Sequence, residues 1–234
     1  RAYALRDRKA IRKNANFAFR IAFAITIPAA VGLAVLNNDV YTLLYQSDRG
    51  AYIMQYGSFI LIFTAIAQLQ SVILQGISQF YPMILSFSVG IILKIIANYI
   101  LVGIPSINIL GVLVGNFLCY LAPVIINHKI LTKSIRYKIP LIRNCVKPII
   151  ASIVMAVVII VLKQPIAIIS VFIGASRALM YLYTLVYTLI LVGIGGLVYL
   201  YIMIALGGIR KLDVEAMSPR IYTKLPRFIR KKLK

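Results

Sequence analysis

Hydrophobic positions along this chain form long unbroken blocks, and polar positions gather between them. Six blocks stand out, approximately Phe17–Leu36, Tyr52–Ser78, Pro82–Ile104, Leu110–Leu131, Val146–Leu162 and Leu179–Leu206. Each is long enough for a helix to cross about 30 Å of hydrocarbon, some with tilt. The alternation of a transmembrane barrel is absent, so the spans read as helices that satisfy their own backbone groups. The expected fold class is an all-α integral membrane protein with six transmembrane helices. Pro165–Ala175 is apolar but too short to span, and is expected to lie at the interface or re-enter.

The connections carry turn residues. Asn37-Asn38-Asp39 ends the first span and can cap a short helix over Val40–Tyr45. Pro105-Ser106-Ile107-Asn108 reads as a tight turn, with Asn108 as N-cap of the next helix. Gly207-Gly208 reads as the C-cap of the last helix.

Composition agrees with the pattern. Hydrophobic residues make up 62% of the 234, charged residues only 13%, and mean hydropathy is +0.93, values that exclude an ordinary water-soluble domain. A net charge of +21 would point to nucleic acid in a soluble protein. Here the cations sit in blocks beside apolar spans and no nucleic-acid-binding motif accompanies them, so no nucleic acid is expected as partner. Cys119 and Cys145 give neither a disulfide framework nor a CxxC pair. The chain begins at Arg1 without a secretory signal, and is read as the C-terminal portion of a longer membrane protein.

Charge sets the expected orientation. All but four of the 26 Lys and Arg residues fall before the first span or within it at Arg20, between the fourth and fifth spans, or in the tail after Gly208. Arg49, Lys163 and Arg177 lie on the other side and Lys94 lies within the third span. Six crossings return both termini to one side, which the positive-inside rule makes cytoplasmic. The expected organisation is a basic lead-in over 1–16, four spans over 17–131 and a basic loop over 132–145. A terminal helix pair with an interfacial segment follows over 146–206, then a basic tail over 207–234. The tail places Ile221, Leu225, Phe228, Ile229 and Leu233 among cations. It reads either as an amphipathic segment for anionic membrane lipids or as simple topogenic charge.

Polar residues inside the spans are the candidate chemistry. Gln68, Ser71, Gln75 and Ser78 share one face of the second span; Ser86, Gly90, Lys94 and Asn98 recur every four residues in the third; Asn116, Tyr120 and Asn127 mark the fourth. Two readings stand for the neutral residues, a hydrated groove or interhelical hydrogen bonds worth about 0.6 kcal/mol each. Lys94 weighs towards the groove. An ammonium at the bilayer centre costs about 2.5–3.5 kcal/mol on insertion scales, and such groups face a bundle interior or wet cavity. The chain's acids, Asp7, Asp39, Asp48, Asp213 and Glu215, all lie outside the spans. No paired carboxylates, metal-ligand cluster or nucleophile–base set appears, so neither an enzyme nor a cofactor is expected. His128, at the end of the fourth span, reads as interfacial. Gly111 and Gly115 form a GxxxG step suited to close helix packing, and Pro28, Gly32, Pro82 and Pro123 mark kinks or helix ends.

Several stretches resemble polysaccharide-biosynthesis membrane proteins of the stage V sporulation protein B type, related to the peptidoglycan lipid II flippase. They are Gln75-Gly76-Ile77-Ser78, Leu93 to Val102, Pro105 to Gly111, Ile27 to Leu33, and Leu206-Gly207-Gly208-Ile209. The superfamily also holds the multidrug and toxic-compound extrusion transporters. In it about twice as many helices form two bundles round a central cavity. This chain would supply the last six spans, with the polysaccharide-biosynthesis C-terminal-like region from about residue 52 and the N-terminal half of the same polypeptide as its partner. Ser78-Gln79-Phe80 stands where Gly-Lys often follows Gln-Gly, and Asn116 where threonine is common. The resemblance implies a flippase in the bacterial cell membrane moving an undecaprenyl-pyrophosphate-linked saccharide by alternating access. Lys94 would attract the pyrophosphate, with Asn98, Gln68 and Gln75 lining the cavity. The alternative is efflux of drugs or organic cations, which a cavity whose visible charge is positive would repel.

Overall fold

Four-residue spacing of apolar side chains along the first span sets the packing of the protein. Ala15, Phe19, Phe23 and Ile27 are all buried and face one way, with Leu74, Ile77, Leu131 and Ile135 packed against them. The computed structural model describes residues 8–137, 139–172 and 177–208. Among these the chain forms eight helices: α1 (Arg8–Val35), α2 (Asn37–Tyr45), α3 (Ala51–Gly57), α4 (Ile60–Gly76), α5 (Phe80–Val102), α6 (Ile109–Ile135), α7 (Leu141–Phe172) and α8 (Arg177–Ala205). Among the described residues, helices α1, α5, α6, α7 and α8 are each long and apolar enough to cross a membrane, and α3 with α4, bent by 40° at the break between them, makes a sixth if the pair counts as one span. The all-helical, multi-pass expectation is met.

Two buried clusters organise the bundle. The first joins α1, α4 and α6 as described. The second joins Leu36 to Ala151, Met155 and Ile159 of α7 and to Leu191, Tyr199 and Met203 of α8. Lipid tails are as apolar as these side chains, so association rests on close packing rather than on escape from water. Small residues supply that closeness. The Gly111–Gly115 face of α6 packs within this chain against α5: a methyl on Gly111 would lie 2.8 Å from Leu101 Cβ, and one on Gly115 would strike the Asn98 side chain.

Polar ties define two ends of the bundle. At the basic end Arg12 donates to the carbonyls of Arg136 (2.9 Å) and Ile135 (3.5 Å), closing α6, and its guanidinium stacks 5.2 Å over the Tyr137 ring. Asn16 donates to Tyr137 Oη (2.9 Å), and Lys147 Nζ reaches the Gly207 carbonyl (2.8 Å) just past α8. At the α2 end Lys163 pairs with Asp39 (2.7 Å), and Tyr181 donates to the Leu43 carbonyl (3.0 Å).

The loops differ in instructive ways from the sequence reading. Gly207 closes α8 as expected, at φ +60 with Gly208 N–H bonded to the Met203 carbonyl and Gly207 N–H to that of Ile204. Ser78 closes α4 with the same pattern at φ 61, a left-handed position that glycine fills at less cost. Asn108 stands at the N-cap of α6, but no side-chain capping bond forms. Helix α2 begins at Asn37 rather than Val40. The Asn37 amide reaches the Ala51 carbonyl (3.2 Å), tying α2 to α3 instead of capping. The lead-in from Arg8 is already the first turns of α1, and α6 runs on to Ile135. Helix α7 continues through Phe172, into the stretch expected to be interfacial. Most of the basic tail lies outside the described residues.

Candidate functional site

Lys94 sits on α5 roughly 12 Å along the axis from its C-terminal end, inside the apolar span. Its side chain is half-buried, and among the described residues no carboxylate or other acceptor meets the ammonium. Asn98 lies one turn further on, also half-buried, with Oδ1 turned into the α5–α6 seam and lacking a hydrogen-bond partner. These two candidates therefore share a face.

The two glutamines stand on another helix. Gln68 and Gln75 are exposed on α4, and Gln75 Nε2 contacts Met83 Sδ at 3.2 Å near the α4–α5 turn. Helix α6 packs extensively on both α4 and α5, which touch each other far less. Ser86 and Gly90 are buried, with Ser86 Oγ bonded to the Met83 carbonyl of its own helix. That half of the α5 stripe is a packing seam, not the wall of an open groove.

Proline explains why the seam is so tight. Pro123 lacks the N–H that would bond the Cys119 carbonyl one turn back. Gly90 backs onto that carbonyl: a methyl there would collide with it and lie 3.1 Å from Pro123 Cδ. A bare glycine lets two backbones meet where an orphaned acceptor needs a close neighbour.

The same logic builds a second feature that the sequence reading did not identify as a site. Pro28 in α1 orphans the Ala24 carbonyl, and Tyr199 of α8 donates to it at 2.7 Å. Beyond this bond an apolar cavity of about 410 Å³ opens between α1, α2, α7 and α8. Pro28, Gly32 and Leu36 line it at four-residue spacing, opposite Met155, Gly195 and Gly196. The signal was present, because Ala24, Pro28 and Gly32 repeat every four residues, yet small residues at that spacing also mark ordinary helix contacts. Two carboxamides are likewise buried, one in the polar stripe of the fourth span and one outside any stripe. Gln70 and Asn127 are fully buried and neither has a hydrogen-bond partner. Among the described residues no group of His, Cys, Asp and Glu could hold a metal ion.

Comparison with known proteins adds one partial likeness. The chain is 26% identical over 119 residues to the lipid II flippase MurJ of Bacillus subtilis strain 168, a stretch that takes in 49% of this chain and 22% of that protein. No protein-family model and no solved structure matches. The chain is a multi-pass helical membrane protein with distant, partial similarity to a lipid II flippase.

Proposed function

We propose that this chain is the C-terminal part of a flippase that carries a polyprenyl-pyrophosphate-linked saccharide across the bacterial cell membrane by alternating access. The observation that carries the reading is Lys94, an ammonium within an apolar span and without a counter-charge among the described residues. A pyrophosphate cannot cross hydrocarbon bare, and a held cation replaces part of its hydration. Asn98 stands beside that cation as a hydrogen-bonding group. Gln68 and Gln75, on the open face of α4, are assigned to the same cavity once the N-terminal half closes round it. The apolar cavity between α1 and α8 has the chemistry to take part of the prenyl chain, which needs no polar partner. Partial likeness to a lipid II flippase supports the substrate class. The basic end faces the cytoplasm and both chain ends lie there.

The test is transport of a fluorescent polyprenyl-pyrophosphate disaccharide by the full-length polypeptide in proteoliposomes. Lys94→Leu and Lys94→Gln should each slow flipping by about tenfold or more, the rate equivalent of about 1.4 kcal/mol, while Lys94→Arg retains most of it. Unchanged rates in both neutral variants would remove Lys94 from the mechanism.

A further inference from the structure

We infer that α2 is a hinged lid over the α2 end of the apolar cavity, latched shut by the Lys163–Asp39 ion pair. Helix α1 breaks at Leu36, whose φ −95 and ψ 17 lie in the sparsely populated bridge region, and α2 resumes at once. Backbone bonds stop on either side of the break: Leu36 N–H to the Gly32 carbonyl (2.9 Å) ends α1, and Val40 N–H to the Leu36 carbonyl (2.9 Å) begins α2. Neither bond spans the joint, so α2 can turn about Leu36 with both in place. Leu36 and Val40, the root and inner face of α2, line the cavity at this end.

Little apolar burial holds the lid down, for α2 contains no buried residue. Polar ties hold it instead: the Lys163–Asp39 pair at 2.7 Å, the Tyr181 hydroxyl on the Leu43 carbonyl at 3.0 Å, and Asn37 on the Ala51 carbonyl at 3.2 Å. The ion pair is half-shielded, its side chains 31% exposed for Lys163 and 17% for Asp39. The outer face of α2 presents Leu44 and Tyr45, 66% and 63% exposed, which suit the membrane interface in either position. An element fixed by a few releasable bonds, over a cavity and beside a break in its own helix, has the parts of a gate. Opening it would let a lipid chain leave the cavity sideways. That use rests on the proposed function, but the position of the lid can be read without it.

The experiment is pulsed electron–electron distance measurement on the full-length polypeptide in nanodiscs. Spin labels go on Thr42→Cys in α2 and Ser106→Cys in the α5–α6 turn, in a Cys119→Ser, Cys145→Ser background. Asp39→Asn and Lys163→Gln should each raise the population of the displaced distance by about fivefold, the factor set by about 1 kcal/mol. The charge swap Asp39→Lys with Lys163→Asp should restore the original distribution. An unchanged distribution in the single variants overturns the latch. So does a shift that the swap fails to reverse, because it reports lost packing rather than a lost ion pair. Neither outcome depends on transport, so a silent flipping assay alongside a responsive lid would reject the function and leave the latch standing.

Discussion

At Tyr199 a single oxygen decides whether a buried carbonyl has a partner. Its hydroxyl serves the Ala24 carbonyl that Pro28 orphans, in a setting where no water stands ready to replace it. Tyr199→Phe should therefore lower stability by about 1–2 kcal/mol, read as an earlier thermal midpoint in detergent, with helical content unchanged. Ser78 gives the opposite sign. It holds a left-handed φ of 61 at the end of α4, so Ser78→Gly should stabilise by about 0.5–1 kcal/mol in the same assay. The departure from Gly at that position was visible in the sequence, but its backbone cost was not, because φ is set by the α4–α5 connection and not by residue type. Lys94 was legible as an anomaly for a simple reason: a charge in an apolar run is rare and costly. The orphaned carbonyls were not, since a proline announces a missing donor without saying which side chain will answer.

Among the elements, α5 and α6 form the tightest pair, and their seam depends on glycine at Gly90, Gly111 and Gly115. Gly90→Ala should destabilise by about 1–3 kcal/mol, because the new methyl meets the Cys119 backbone carbonyl and the Pro123 ring rather than a flexible tip. A thermal-stability comparison checks it, with Gly76→Ala as a control where a methyl meets open space. Six spans could be read from hydropathy because lipid demands about 20 apolar residues whatever the neighbours are. The 40° bend between α3 and α4 could not, for the apolar run continues through Ser58 and Phe59. At the break stand Gly57 and Ser58, whose Oγ bonds back to the Gln55 carbonyl at 2.8 Å. The polar stripes were legible as stripes but not as walls. Spacing puts residues on a face, and only the tertiary arrangement shows that Ser86 and Gly90 are buried while Gln68 and Gln75 stay exposed.

For the whole molecule, the segregation of charge makes a topological prediction. Lys133→Cys, at the basic end, and Arg49→Cys, in the α2–α3 loop, should label from opposite sides of intact cells. The impermeant maleimide should reach only Arg49→Cys from outside. The central claim is that the cation on α5 binds the anionic head of a lipid-linked sugar. The most direct measurement is equilibrium binding of a short-chain polyprenyl-pyrophosphate disaccharide to the full-length polypeptide in detergent, wild type against Lys94→Ala. The account predicts saturable binding that the substitution weakens about tenfold, equal to about 1.4 kcal/mol. Absence of binding by the wild type, under conditions where an organic cation does bind, would contradict it and assign the chain to the extrusion transporters instead.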